Sequence, residues 1–109
     1  MNEAAADPID LAHLAHQTMG DEALKAEVLA MFVEQAGGLC AEIAAETDRC
    51  ARADLLHRLN GSARAIGAWQ VAELAGRLER AEPTPGDMQA LRQAVDAVIA
   101  RIAALGVGG

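Results

Sequence analysis

From Thr84 onward the chain carries its plainest folding instruction. Met88, Leu91, Val95, Val98, Ile102 and Leu105 recur at steps of three and four, which puts them on one face of an α-helix. Thr84-Pro85-Gly86-Asp87 precedes them with an N-cap hydroxyl, a proline at the first helical position and an acid three residues after the threonine. A water-soluble helix with one apolar stripe gains most of its stability by burying that stripe, so the chain must supply partners for it. It can supply only helices. Ala, Leu, Glu, Arg and Gln fill most positions, Tyr is absent, and Phe and Trp occur once each. β-Branched and aromatic residues are too sparse for a sheet, which excludes all-β folds and disfavours α/β ones. Although Ala inflates the hydrophobic fraction of 52%, Leu, Ile, Val and Met suffice for a packed core, so disorder is disfavoured.

Local punctuation divides the rest. Asp7-Pro8 reads as an N-cap with proline at the first helical position, opening a short helix that ends near Met19-Gly20. Asp21-Glu22 begins a second helix, along which Leu24, Val28, Phe32, Leu39 and Ile43 recur to about Thr47. Gly37-Gly38 weakens its middle by roughly 1 kcal/mol per glycine, so one long helix with a soft middle is expected, with two shorter helices as the lesser alternative. A third helix runs from about Ala51 to Ile66 and stops at Gly67, and a fourth from Ala68 to about Glu82, where Pro83 halts it. The tail Gly106 to Gly109 is expected to fray. The 109 residues thus read as one all-α domain over 1–109, with an ordered core over about 8–105. Its expected architecture is an antiparallel four-helix bundle with a short additional N-terminal helix.

Charge narrows the partners. The net charge of −7 and the pI near 4.8 disfavour nucleic acid, which needs a basic face. Residues 1–54 hold eleven acids against three bases, a net of −8; residues 55–109 hold five acids against six bases, a net of +1. An acidic partner is therefore expected to meet the second half. Cys40 and Cys50 make neither a CxxC nor a metal spacing, which points to a reducing compartment. Met1 to Asp7 lack the basic and apolar regions of a signal peptide, and no apolar run looks long enough to cross a bilayer. The expectation is a cytoplasmic protein without membrane association; Met1 and the glycine tail read as the ends of a free-standing chain.

Three histidines are the candidates for chemistry. His13 and His16, three apart on the short first helix, could share a metal, but no further ligands accompany them and the Glu-x-x-His pattern of bundle metal sites is missing. They read as polar surface positions. His57 differs because of its phase. At about 100° per residue, Leu55, Leu56, Leu59, Ala63 and Ile66 define the core side of the third helix, and His57 lies roughly 150° away from it. Gly61 and Arg64 share its face. Gly61 costs helix stability without serving as a cap, and a local rule broken without structural compensation marks a place to seek function. Neutral imidazole is a nucleophile near pH 7, and with glycine at i+4 another protein can press a phosphoryl donor or acceptor against the ring.

The stretch His57-Arg58-Leu59-Asn60-Gly61-Ser62, followed by Ile66-Gly67-Ala68, resembles the signature of histidine-containing phosphotransfer (HPt) domains, His-x-Leu-Lys-Gly-Ser and then Gly-Ala. The next helix continues the likeness with Val71-Ala72, Leu74-Ala75 and Leu78-Glu79. Upstream, Gly20-Asp21, Leu24, Glu27-Val28-Leu29 and Phe32 also look like the family. The resemblance covers about residues 8 to 105.

It implies a carrier rather than a self-sufficient enzyme, in a bacterial-type phosphorelay. His57 would accept a phosphoryl group from one receiver aspartate and pass it to another. Gly61 would clear space for the partner, and Glu79 would orient the imidazole. The implied partners are response-regulator receiver domains and a hybrid histidine kinase, with the chain acting as a monomer. No bound cofactor is implied, the Mg²⁺ coming from the receiver. One position departs from the pattern: Asn60 stands where the family usually has a lysine that approaches the phosphoryl group, and an amide brings no charge. Arg64 is the better candidate to supply that charge; Arg58 reads as solvated. The departure also leaves a second reading, a degraded bundle that docks or sequesters receivers without transfer. Trp69 is expected to cover the bundle end.

Overall fold

In a computed structural model, which describes residues 7–106, five helices follow one another: α1 (Leu11–Gln17), α2 (Glu22–Ala45), α3 (Arg49–Ile66), α4 (Trp69–Leu78) and α5 (Pro85–Ala104). Helices α2, α3, α4 and α5 close a ring of neighbours in that order, and α1 packs against α3. The architecture is the expected antiparallel four-helix bundle with a short N-terminal helix. Its core joins Leu29, Phe32, Leu39 and Ile43 of α2 to Leu56, Leu59, Ala63 and Ile66 of α3. Val71, Ala75 and Leu78 of α4 and Leu91, Val95, Val98 and Ile102 of α5 complete it.

Short polar caps start four of the helices. Asp21 accepts from the Leu24 amide and Asp48 from the Ala51 amide, while Thr84 and Asp87 form the reciprocal capping box that their spacing predicts. The first helix corrects the sequence reading. Its cap is Asp10, which accepts from the His13 amide at 3.0 Å; Asp7 lies ahead of the helix and receives a forked contact from the Arg101 guanidinium, Nε and Nη2 both at 3.0 Å. Helix α4 is also shorter than expected. It ends at Leu78; the Glu79 amide still bonds to the Ala75 carbonyl, and the following amides bond three residues back, Arg80 to Arg77 and Ala81 to Leu78. Pro83 disfavours helical backbone only at Glu82 just before it, and α4 has already given way to turns ahead of that point.

Helix α2 runs unbroken through Gly37-Gly38. It corrects a second expectation, because by length and composition it is long and apolar enough to cross a bilayer. Six of its residues, Leu29, Phe32, Ala36, Leu39, Cys40 and Ile43, are instead buried inside the bundle. Arg52 is buried as well: it donates to the Glu46 carbonyl at 3.3 Å and to Glu82 Oε2 at 3.1 Å, tying together the segments before α3 and after α4. The expected fraying beyond Gly106 concerns residues outside those described.

Candidate functional site

The phase of α3 follows from its core contacts. Leu56, Leu59, Ala63 and Ile66 are buried, which turns His57 outward with 76% of its side chain exposed. Glu79 comes to it from the end of α4. Its Oε1 lies 3.2 Å from His57 Nδ1. A carboxylate oxygen can only accept, so Nδ1 carries the hydrogen and the lone pair of the neutral ring sits on Nε2. Among the described residues no hydrogen bond engages Nε2.

Gly61 stands one turn beyond His57. A Cβ built there meets nothing within 4 Å among the described residues, and its backbone is ordinary helix, so neither their packing nor its own conformation asks for glycine. Gly67 is the opposite case. At φ +76° it caps α3, and a Cβ there would lie 2.9 Å from Asp10 Cβ and 3.0 Å from Asp10 O. The Asp10 amide donates to the Gly67 carbonyl at 2.9 Å, so this glycine lets the start of α1 lie directly on the turn after α3.

Asn60 turns toward Glu79. It is half-buried, and its Nδ2 lies 3.4 Å from Glu79 Oε2. Arg64 is exposed on the outer face, as expected. Arg58 belongs to the other side of α3, beside Gln35, Gly38 and Glu42 of α2. The sequence reading missed two further arginines. Arg77 and Arg80 join Arg64, Asn60 and Trp69 around an open groove of about 660 Å³ between α3 and α4, with Glu73 as its one acid among the described residues. Their signal was available: α4 places Arg77 off its buried stripe of Val71, Ala75 and Leu78. Across α3, a smaller groove of about 150 Å³ is lined by Val28, Met31, Phe32 and Ala65, with Met31 54% exposed.

The other histidines do not join the site. His13 Nε2 lies 3.0 Å from the Arg64 carbonyl oxygen, and its ring centroid lies 4.7 Å from that of Trp69. It is half-buried, not the surface position that spacing implied. Trp69, in turn, donates from Nε1 to Asp10 Oδ2 at 3.0 Å and covers the junction of α1, α3 and α4. His16 is exposed. No three His, Cys, Asp or Glu side chains converge as a metal site among the described residues. Cys40 is buried, which raises its thiol pKa, and Cys50 is exposed; both are free.

Comparison with known proteins follows the same outline. A family model for the Hpt domain matches residues 27–103, from within α2 to near the end of α5. Among solved structures the chain is similar to the histidine phosphotransferase ShpA from Caulobacter crescentus. They share 31% sequence identity, with 91% of this chain and 90% of that one covered, at a TM-score of 0.74. No curated protein matches the chain.

Proposed function

The chain belongs to the Hpt-domain family, which carries a phosphorelay role, and on that premise we propose that His57 takes a phosphoryl group from one receiver aspartate and yields it to another. The observation that carries this reading is the pairing of an open Nε2 with an Nδ1–H held by Glu79 at 3.2 Å. The Nε2 lone pair attacks phosphorus, the N–P bond forms, and the P–O bond to the donor aspartate breaks, its electron pair leaving on the carboxylate. The imidazole thereby becomes a cation that keeps its Nδ1 hydrogen. Glu79 faces that hydrogen with a negative charge, which favours the charged ring without taking its proton. Transfer to the second receiver is the same step reversed. Mg²⁺ and most of the charge on the phosphoryl oxygens are the receiver's to handle.

Docking is assigned to the outer face of α3 and the grooves beside it. A receiver's phosphoryl pocket is itself a carboxylate cluster, as the family likeness implies, and residues 1–54 with their net −8 repel it. Arg64, Arg77 and Arg80 make the α3–α4 side the favourable approach, and Met31 offers an apolar contact on the other flank. The donor receiver is assigned to a hybrid histidine kinase, and the chain works as a cytoplasmic monomer of a bacterial-type relay.

A phosphorylated receiver with Mg²⁺ tests the reading. Acid-labile, base-stable label is expected on the wild type and none on His57→Gln. Receiver binding without any label on the wild type would instead assign the docking role.

A further inference from the structure

Glu79 serves two neighbours on α3. Its Oε1 faces His57 Nδ1 and its Oε2 faces Asn60 Nδ2, so one carboxylate spans the turn between them. No arginine or lysine pairs with it among the described residues. Glu79 is the C-cap of α4, and its backbone is still helical, at φ −60° and ψ −29° with its amide bonded to the Ala75 carbonyl, so only its own side-chain torsions are left to be fixed. Something must hold the carboxylate in the plane of the imidazole, and Asn60 is the group in place to do it.

Two further observations show that the amide is accommodated for this contact. A Cβ at Gly76 would lie 3.2 Å from Asn60 Nδ2, so the interior glycine of α4, one turn before Glu79, is what leaves room for the amide. Asn60 Oδ1 is buried and has no hydrogen-bond partner among the described residues. Leaving a buried carbonyl without a partner costs stability. Turning the amide over would not remove that cost, because it would set Oδ1 against the Glu79 carboxylate, which has nothing to donate. The arrangement keeps the NH₂ on Glu79 and leaves Oδ1 unsatisfied.

We infer that Asn60 is a positioning residue that acts through Glu79 to hold His57 in its Nδ1–H tautomer, leaving Nε2 free to attack. This rests on His57 being the phosphoryl acceptor. A neutral donor suits this role, because it fixes one carboxylate oxygen while leaving the carboxylate's full charge to the imidazolium that forms. A lysine at this position would pair with Glu79 and divide that charge. Asn60 is thus not a weakened phosphate-binding lysine, and it makes no contact with the phosphoryl group.

The test compares full-length wild type with Asn60→Leu, a substitution close in shape that lacks both the donor and the orphaned carbonyl. Two-bond ¹H–¹⁵N NMR on histidine-labelled protein reads the tautomer at His57. The wild type is expected to be mainly Nδ1–H. The Leu variant is expected to melt no lower than wild type, yet to move toward Nε2–H and to accept phosphoryl about tenfold more slowly. Gly76→Ala should shift the tautomer in the same direction by less. Should Asn60→Leu leave the His57 tautomer and rate unchanged, or should the wild type already be Nε2–H, the inference is overturned. Asn60→Lys accepting phosphoryl faster than wild type would equally overturn it, in favour of a phosphate contact. A wild type that never takes up label, but whose tautomer depends on Asn60, would sink the carrier reading and leave the positioning standing.

Discussion

Two corners of this bundle are built from the same kinds of parts, a histidine, a glycine and an acid, and use them in opposite ways. At the α1 corner, His13 lends its Nε2–H to the Arg64 carbonyl and its ring to Trp69, Gly67 admits Asp10, and Asp10 binds Trp69. Every group is spent on closing the structure. On the outer face of α3, among the described residues, His57 lends only Nδ1–H, to Glu79, and Gly61 admits no other group. The two rings are held in opposite tautomers, each assigned by a partner that can only accept. Exposure alone does not make a histidine available for chemistry; what matters is which nitrogen the fold leaves unused.

The sharpest break between the corners is expected from the histidines themselves. His57→Gln should lose all phosphoryl acceptance while unfolding within about 0.5 kcal/mol of wild type, as exposed sites do. A large stability loss in a urea titration would mean that the ring is structural after all. The glycines come next. Gly67→Ala forces a side chain into left-handed backbone against Asp10 and should cost roughly 1–3 kcal/mol. Gly61→Ala should instead stabilise by up to about 1 kcal/mol, the propensity difference, since its Cβ meets only solvent. The bulkier Gly61→Gln should impair transfer by crowding the ring; if it transfers normally, the glycine is not there for clearance.

A smaller effect is expected at the closed corner. His13→Ala removes a hydrogen bond and the contact with Trp69, and should cost about 1 kcal/mol with phosphoryl acceptance intact. Loss of acceptance in this variant would show that the two corners are coupled.

Acid should separate the corners too. The Trp69 indole and the His13 amide hold the Asp10 carboxyl below its ordinary 3.8, and Arg101 does the same for Asp7. A lowered folded value contributes stability that is complete above 3.8 and disappears as the pH falls through that lower value. Trp69 fluorescence, the only indole signal in the chain, should therefore change below about pH 4 as α1 detaches. No change on the way to acid unfolding would show that Asp10 does not hold α1 in place. The smallest effect is kinetic. Arg64→Glu should slow association with the receiver severalfold at low ionic strength and little at high salt. Equal slowing at every salt concentration would mean that Arg64 makes a specific contact.

Much of this was readable in the sequence wherever the determinants are local. The capping box and stripe of α5, the stop at Gly67 and the outward phase of His57 depend on residues a few positions apart, and they stand as expected. The choice between Asp7 and Asp10 as the first cap was not readable. It turns on Gly67 and Arg101, which only the closed bundle brings near. The same holds for Asn60. Its neighbours on α3 place it beside His57, but its inward turn depends on where α4 ends and on the gap at Gly76. An interior helical glycine marks Gly61 because a histidine stands one turn before it; Gly76 carries the same signal on a helix that has no histidine.

Everything proposed for this site depends on Nε2 of His57 being the atom left free for phosphoryl transfer. ¹⁵N-histidine protein, phosphorylated by a receiver and followed by ¹⁵N and ³¹P NMR, shows which nitrogen carries the phosphorus. One phosphorus-coupled nitrogen is expected, Nε2 of His57, with Nδ1 still carrying its hydrogen. Phosphorus on Nδ1 of His57, or on His13 or His16, would be incompatible with the carrier chemistry proposed for this face of α3.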